Sequence, residues 1–298
     1  MKTESFTIVH DEAMGTGECP VWHPVESALY WVDITGLTVH RLHPASGKHT
    51  SWKMKTEPSA LAPDQDDNLV VSTRAGIVYL DTVSGDVTDL APAPYDTNIT
   101  RFNDGRVDPA GRFWVGTIYE PRDHPRAEMY VFDQGELRLA WSGGMTNSNG
   151  LAWSPDGKTM YHADTTSHRV DCYDFDAASG TVANRRNLVT FEADKTSGAY
   201  GGRPDGAAMD SEGNYWVCMY EGGRILKLSP TGELLQQIDL PLRCPTCLTF
   251  GGPDLRTLYV TSAANGRSNA ELEQYPASGK VLAFTVDVPG LPMPEYRG

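Results

Sequence analysis

Six oxygen-bearing side chains recur along this chain at one offset from a turn. Glu18, Glu57, Asn103, Asn149, Asp205 and Thr246 each lie six residues before a turn, at Pro24, Pro63, Pro109, Pro155, Ser211 and Gly252. Two residues before each turn the chain is apolar: Trp22, Leu61, Val107, Trp153, Met209 and Phe250. The sixth copy is the loosest, since moving its turn by one residue would substitute Cys247. Polar residues before turns are also ordinary loop chemistry, so the shared register carries the argument rather than any one residue. Brought together, three carboxylates repel one another unless something cationic sits between them. A divalent cation is the natural compensation. An all-oxygen donor set favours Ca²⁺, Mg²⁺ or Mn²⁺ and admits Zn²⁺ or Fe²⁺. Such an ion, held by few protein ligands, keeps positions open to polarise a carbonyl and to lower the pKa of bound water.

Other chemistries lack their residues. There is no G-x-S-x-G elbow, no H-E-x-x-H, no P-loop and no G-x-G-x-x-G between strand and helix. The eight histidines are scattered and none occupies a ring position, which leaves a serine or cysteine triad without its base. Cys244-Pro-Thr-Cys247 spells C-x-x-C. It has no second pair to complete a zinc site and no βαβ context for a redox motif, so buried free thiols are expected.

The elements that must position the ring are short strands. The ring intervals are 39, 46, 46, 56 and 41 residues, a spacing that points to a propeller or solenoid. After each turn comes an apolar run such as Tyr30-Trp31-Val32 or Phe113-Trp114-Val115, suited to a strand covered on both faces. Turns rich in Pro, Gly, Asp and Asn separate the runs, and no helical period persists. The expected fold is all-β, a six-bladed β-propeller in one domain over residues 1–298. Residues 5–10 (SFTIVH) are expected to pair with the last repeat and close the ring. Equivalent positions of a closed ring lie at one height about its axis, so the six side chains would meet at one tunnel mouth. Residues 191–202, in the longest interval, could overhang that mouth.

The formal net charge is −14, from 39 acidic and 25 basic residues, which argues against nucleic acid or an anionic membrane as partner. No stretch approaches 18 consecutive apolar residues, and the N-terminus shows no apolar signal region. With five cysteines, an odd number, a reducing cytoplasm is expected, and the chain is taken to act as a monomer.

The stretches GECPVW (17–22), RFNDGRVDPAGRFWVGT (101–117), SNGLAWSPDG (148–157), RPDGAAMDSEGNYWV (203–217) and GKVLAFTVDVPGLP (279–292) together resemble the senescence-marker protein/gluconolactonase/luciferin-regenerating family of six-bladed propellers. The resemblance implies one divalent metal ion (Ca, Mg, Mn, Zn or Fe) and hydrolysis of sugar lactones to sugar acids. It implies Glu18, Asn149 and Asp205 as metal ligands, and Arg101, Asn103 and Glu120 as substrate contacts. Asp205 would be the catalytic residue, as a base or as a group orienting metal-bound water. Cys19 departs from the small Gly or Ser frequent in relatives. Glu57 has no implied role and is expected to partner Arg101 or a water. The alternatives are another metal-dependent esterase or phosphotriesterase on the same fold, or a non-catalytic metal-binding propeller.

Overall fold

The computed structural model describes residues 5–298. They form six four-stranded antiparallel sheets around a common axis, with consecutive strands running from the axis outwards. Blade 3 shows the logic. Its inner strand, Thr100–Val107, lines the axis. Its second strand, Phe113–Tyr119, is buried at every residue, as a continuous apolar run between two neighbouring blades must be. The outer strand, Glu136–Ser142, is largely exposed. The same gradient holds in blade 1, from the fully buried Gly17–His23 and Ala28–Asp33 to the mostly exposed Lys48–Lys53. Large rings fill the spaces between blades, with Trp31, Trp114, Tyr30, Tyr215, Phe102 and Phe113 almost fully buried. Burying each such side chain contributes about 1.5–3 kcal/mol.

The ring closes as expected. Thr7–His10 is the outermost strand of blade 6 and pairs antiparallel with Val281–Thr285, matching Thr7 to Ala283 and Ile8 to Leu282. Phe6 adds an edge-on contact with Phe284 at 5.2 Å. One short helix, Asn269–Gln274, interrupts the β pattern, capped by the Ser268 hydroxyl accepting from the Glu271 amide at 3.2 Å. It carries no buried residue, so it has no amphipathic period to read. Among the described residues no helix is long and apolar enough to cross a membrane. All five cysteines are free and buried.

The C-terminal tail crosses the lower face. The Leu291 amide donates to Met209 O at 3.1 Å, the Tyr296 amide to Pro63 O at 2.8 Å and the Arg297 amide to Gly111 O at 3.0 Å. The Tyr296 ring stacks on Phe132. Three blades are thereby tied together on the side opposite the ring of oxygens.

Candidate active site

A β-bulge in every inner strand sets the ring. The bulges lie between Glu18 and Val21, Pro58 and Ala60, Phe102 and Gly105, Asn149 and Ala152, Pro204 and Ala207, and Pro245 and Leu248. In each the inner strand takes one more residue than its neighbour, which bends it and re-aims a side chain. At one level they turn Glu18, Asn103, Asn149, Asp205 and Thr246 towards the axis. These five and Glu57 all line one cavity of about 460 Å³ at the upper mouth, a size suited to a small ligand. Arg101 and Glu120 line it as well.

Blade 2 corrects the sequence register. Its hairpin turns at 64–68, where the Asp64 amide donates to Asn68 O, and Pro63 is the last strand residue, opposite Leu69. Counting from paired residues, the equivalent of Asn103 is Ser59, which is buried with its hydroxyl 2.8 Å from that of Ser72. Glu57 instead corresponds to Arg101. It reaches the cavity from the rim and pairs with Arg74 at 2.9 Å rather than with Arg101. Thr246 holds the sixth position as read, and Cys247 is fully buried beside it.

Glu18 and Asp205 are buried, and among the described residues neither makes an ion pair. Burial first, then the charges of Asp205 and Asp104, raises the proton affinity of Glu18 well above the ordinary carboxylate range. Burial and Asp104 do the same to Asp205. The carboxamides are oriented by their partners. Thr165 donates its hydroxyl to Pro204 O at 2.7 Å, so its oxygen is free to accept from Asn149 Nδ2, also at 2.7 Å. That leaves Asn149 Oδ1 as the end facing the ring. Asn103 Nδ2 donates to Ser148 O at 2.9 Å and to Asn149 Oδ1 at 3.1 Å, while Asn103 Oδ1 accepts from Arg101 Nη1 at 2.8 Å. Asn149 Oδ1 keeps a second lone pair.

Backbone conformation makes these approaches available. Gly150 has φ +63, and its carbonyl accepts from the Tyr215 hydroxyl at 2.7 Å. A Cβ there would overlap that hydroxyl and lie 3.0 Å from Asp205 O. Cys19 holds the equivalent place in blade 1 at φ +44, the left-handed region that favours glycine. This is a physical reason for a small residue after Glu18. The Cys19 sulfur accepts from the Leu61 amide at 3.4 Å and faces Gly105 O at 3.6 Å. Burial pushes its thiol up to about 12, so it stays protonated.

Three contributors escaped the motif reading. Asp104, fully within the RFND stretch, is buried below the ring and accepts from the Leu151 amide at 3.2 Å. Its charge acts on both Glu18 and Asp205, yet its position inside a bulge gave no periodic signal. Arg74 forks at the rim, with Nη1 and Nη2 bound to both oxygens of Glu120 at 3.0 and 2.9 Å and Nε to Glu57. This pairing holds Glu120 below its ordinary proton affinity; Arg101 Nε lies 3.5 Å from the same carboxylate. Arg203 lines the cavity and pairs with Glu221 at 3.3 Å. No residue of 191–202 lines the cavity. Lys195 and Tyr200 of that loop bind Glu221 instead, at 2.7 and 3.0 Å.

The family description SMP-30/gluconolactonase/LRE-like region matches residues 16–264. A 6-deoxy-6-sulfogluconolactonase of Pseudomonas putida is 43% identical over 282 residues, 95% of each chain. Regucalcin of Gallus gallus is 33% identical over the full length of both. Among solved structures, a calcium-binding regucalcin of Agrobacterium tumefaciens superposes with a TM-score of 0.92 at 27% identity, covering 99% of this chain and 98% of that one.

Proposed function

We propose that this chain, which belongs to the SMP-30/gluconolactonase/LRE-like family, opens sugar lactones to the corresponding sugar acids in its axial cavity, acting as a single-domain monomer. One observation carries the reading. Two buried carboxylates without an ion pair among the described residues, and an amide whose nitrogen is held by Thr165, line one cavity of a size for a small sugar. The lactonase among the relatives supports the substrate class.

Glu18, Asn149 and Asp205 fit a divalent cation, because among the described residues neither carboxylate makes an ion pair, and Thr165 fixes the amide so that its oxygen keeps a lone pair for a ligand. We take these three as its ligands, with calcium, magnesium, manganese, zinc or iron as the candidates. Bound there, the ion would supply positive charge that polarises the lactone carbonyl and acidifies water. The protein's own groups do the rest. Asp205 accepts the proton of the attacking water or orients that water; burial raises its proton affinity towards what a base requires, and a neighbouring cation lowers it again. Arg101, Asn103 and Glu120 hold the sugar hydroxyls, and Arg74 fixes where Glu120 points. Both ends of the Asn103 amide are engaged, so it also positions Asn149 and Arg101.

The test is a panel of aldonolactones and aryl phosphotriesters against chelator-stripped protein, with each divalent ion restored in turn. Turnover of lactones that needs an ion supports the reading. Turnover of phosphotriesters alone, or of neither class with any ion, overturns it.

A second reading concerns the substituent. Arg74, Arg101 and Arg203 of the cavity lining are each beside an acid. Arg122 also lines the cavity, and among the described residues it pairs with none. A lactone carrying an anionic group, such as the sulfonate in the name of the Pseudomonas relative, would supply that partner. A preference in kcat/KM for the sulfonated over the plain lactone that disappears in Arg122→Gln is the expected result; no preference, or one that survives the substitution, removes it.

A further inference from the structure

Three histidines that take no part in the cavity converge at the ring-closing seam. His10 ends the closing strand of blade 6, Thr7–His10. His40 lies in the third strand of blade 1, Thr38–His43, and His49 in its outer strand, Lys48–Lys53. His40 pairs across the strands with Ser51, two residues from His49, so His40 and His49 share one face of the sheet. His10 approaches that face from the adjacent blade, with its ring centroid 4.7 Å from that of His49 and 5.7 Å from that of His40. One ligating nitrogen from each of the three lies within 4.8 Å of the other two.

Aromatic packing explains part of this. The His40 ring stacks on Trp31 at 5.0 Å and nearly parallel. Packing leaves the nitrogens unexplained. His10 and His40 are both more than nine-tenths buried, and Nε2 of each has no hydrogen-bond partner. The one ring-to-ring polar contact is His40 Nδ1 to His49 Nε2, 3.0 Å. Two buried ring nitrogens are thus left without a partner in a cluster of three imidazoles. Burial also lowers the proton affinity of all three rings, that of His40 to about 4, so they are neutral donors near pH 7. Glu12, Asp11 and Asp33 are the carboxylates acting on the cluster, with Asp11 held by Lys280 at 2.6 Å.

We propose that His10, His40 and His49 form a second cation site, separate from the axial cavity, that takes a borderline transition-metal ion such as Zn²⁺ and fastens the closing strand to blade 1. Imidazole donors select Zn²⁺, Ni²⁺ or Cu²⁺ over Ca²⁺ or Mg²⁺. Tetrahedral Zn–N bonds of about 2.0–2.1 Å put ligand nitrogens roughly 3.3 Å apart. The three ligating nitrogens already lie within 4.8 Å of one another, so side-chain movement alone can bring them to that separation. His49 is exposed and gives the ion its entry. The remaining coordination position falls to water.

The experiment titrates Zn²⁺ into chelator-stripped protein by calorimetry, for the wild type and for His49→Ala and His10→Phe. The first variant changes an exposed residue, and the second keeps a ring for packing but removes the donor. The wild type should bind one equivalent more than either variant. Zn²⁺ at a hundredfold its dissociation constant should raise the wild-type melting temperature by roughly 5 °C, with no such rise from the histidine site in the variants. Glu18→Gln should keep the histidine-dependent equivalent, which separates this site from the cavity. Equal stoichiometry and equal thermal shift in the wild type and both variants overturn the proposal.

Discussion

Replacing Gly150 by alanine strains the candidate site through a contact that can be removed separately. At φ +63 an alanine costs about 1–2 kcal/mol from its Cβ alone. That Cβ would overlap the Tyr215 hydroxyl, and forcing it into a packed core costs about 1–3 kcal/mol more. The expected destabilisation is therefore roughly 2–5 kcal/mol. Tyr215→Phe alone loses the hydrogen bond to Gly150 O, at about 1 kcal/mol. In the double variant the overlapping oxygen is gone while the strained backbone and the 3.0 Å approaches to Asp205 O and the Ala163 methyl remain. Its loss of stability should fall short of the sum of the single losses by roughly 1–2 kcal/mol, read from urea denaturation of all four proteins. Gly150 follows Asn149 directly and abuts Asp205, so divalent-ion affinity should fall in Gly150→Ala and partly return in the double variant. Additivity within about 0.5 kcal/mol would refute the steric argument.

Three further outcomes are expected. Asp205→Asn with saturating ion should lower kcat by about 10²–10⁴ if the carboxylate moves the proton; near-wild-type turnover would leave it an orienting ligand. Arg74→Met frees Glu120 and Glu57 from their shared partner, so kcat/KM on polyhydroxylated lactones should drop while thermal stability changes little, as is usual for rim ion pairs; equal loss on a lactone without hydroxyls would make the effect structural. His162 is buried against the Ser148 hydroxyl at 2.9 Å, with Asp164 and Arg169 as its charged neighbours, and burial lowers it to about 4 from 6.5. Between those values the unfolded chain binds the extra proton, so stability present above pH 6.5 is lost as pH falls towards 4. At 1.36 kcal/mol per unit this amounts to about 3 kcal/mol, and His162→Gln should flatten the acid limb of a denaturation profile; an unchanged limb would remove His162 as its cause.

The architecture was legible because it repeats. Six copies of strand, turn and apolar strand gave the blade count and the closing segment, and the axial register held for Glu18, Asn103, Asn149, Asp205 and Thr246. It slipped at blade 2, where Pro63 looks like the turn prolines of blades 3 and 4 but ends a strand. A proline there costs no ladder bond that the sequence could have flagged. Asp104 was missed because a bulge turns a residue out of the two-residue alternation. Arg74 and Arg203 were missed because their partners lie outside the ring register: Glu120 follows a strand of the next blade, and Glu221 follows Tyr220, the residue paired with Arg203 across its own hairpin. The overhang expected of 191–202 failed for a similar reason, since Glu221 draws Lys195 and Tyr200 to itself.

The tail across the lower face bears on how the molecule would be emptied. Below the oxygens lie Asp104 and Arg106 of blade 3, the Arg106 guanidinium donating to Ala207 O of blade 5 at 2.6 Å, and the Cys19 sulfur of blade 1. Residues 291–294 then lie over the lower opening. These side chains and the tail narrow the lower end of the axis. On the proposed activity, the sugar acid leaves by the upper rim through which the next lactone enters, past the Arg74, Arg101 and Arg203 guanidiniums that attract its new carboxylate. Product and substrate cannot be present together, so the acid should inhibit competitively, and progress curves should bend early as it accumulates.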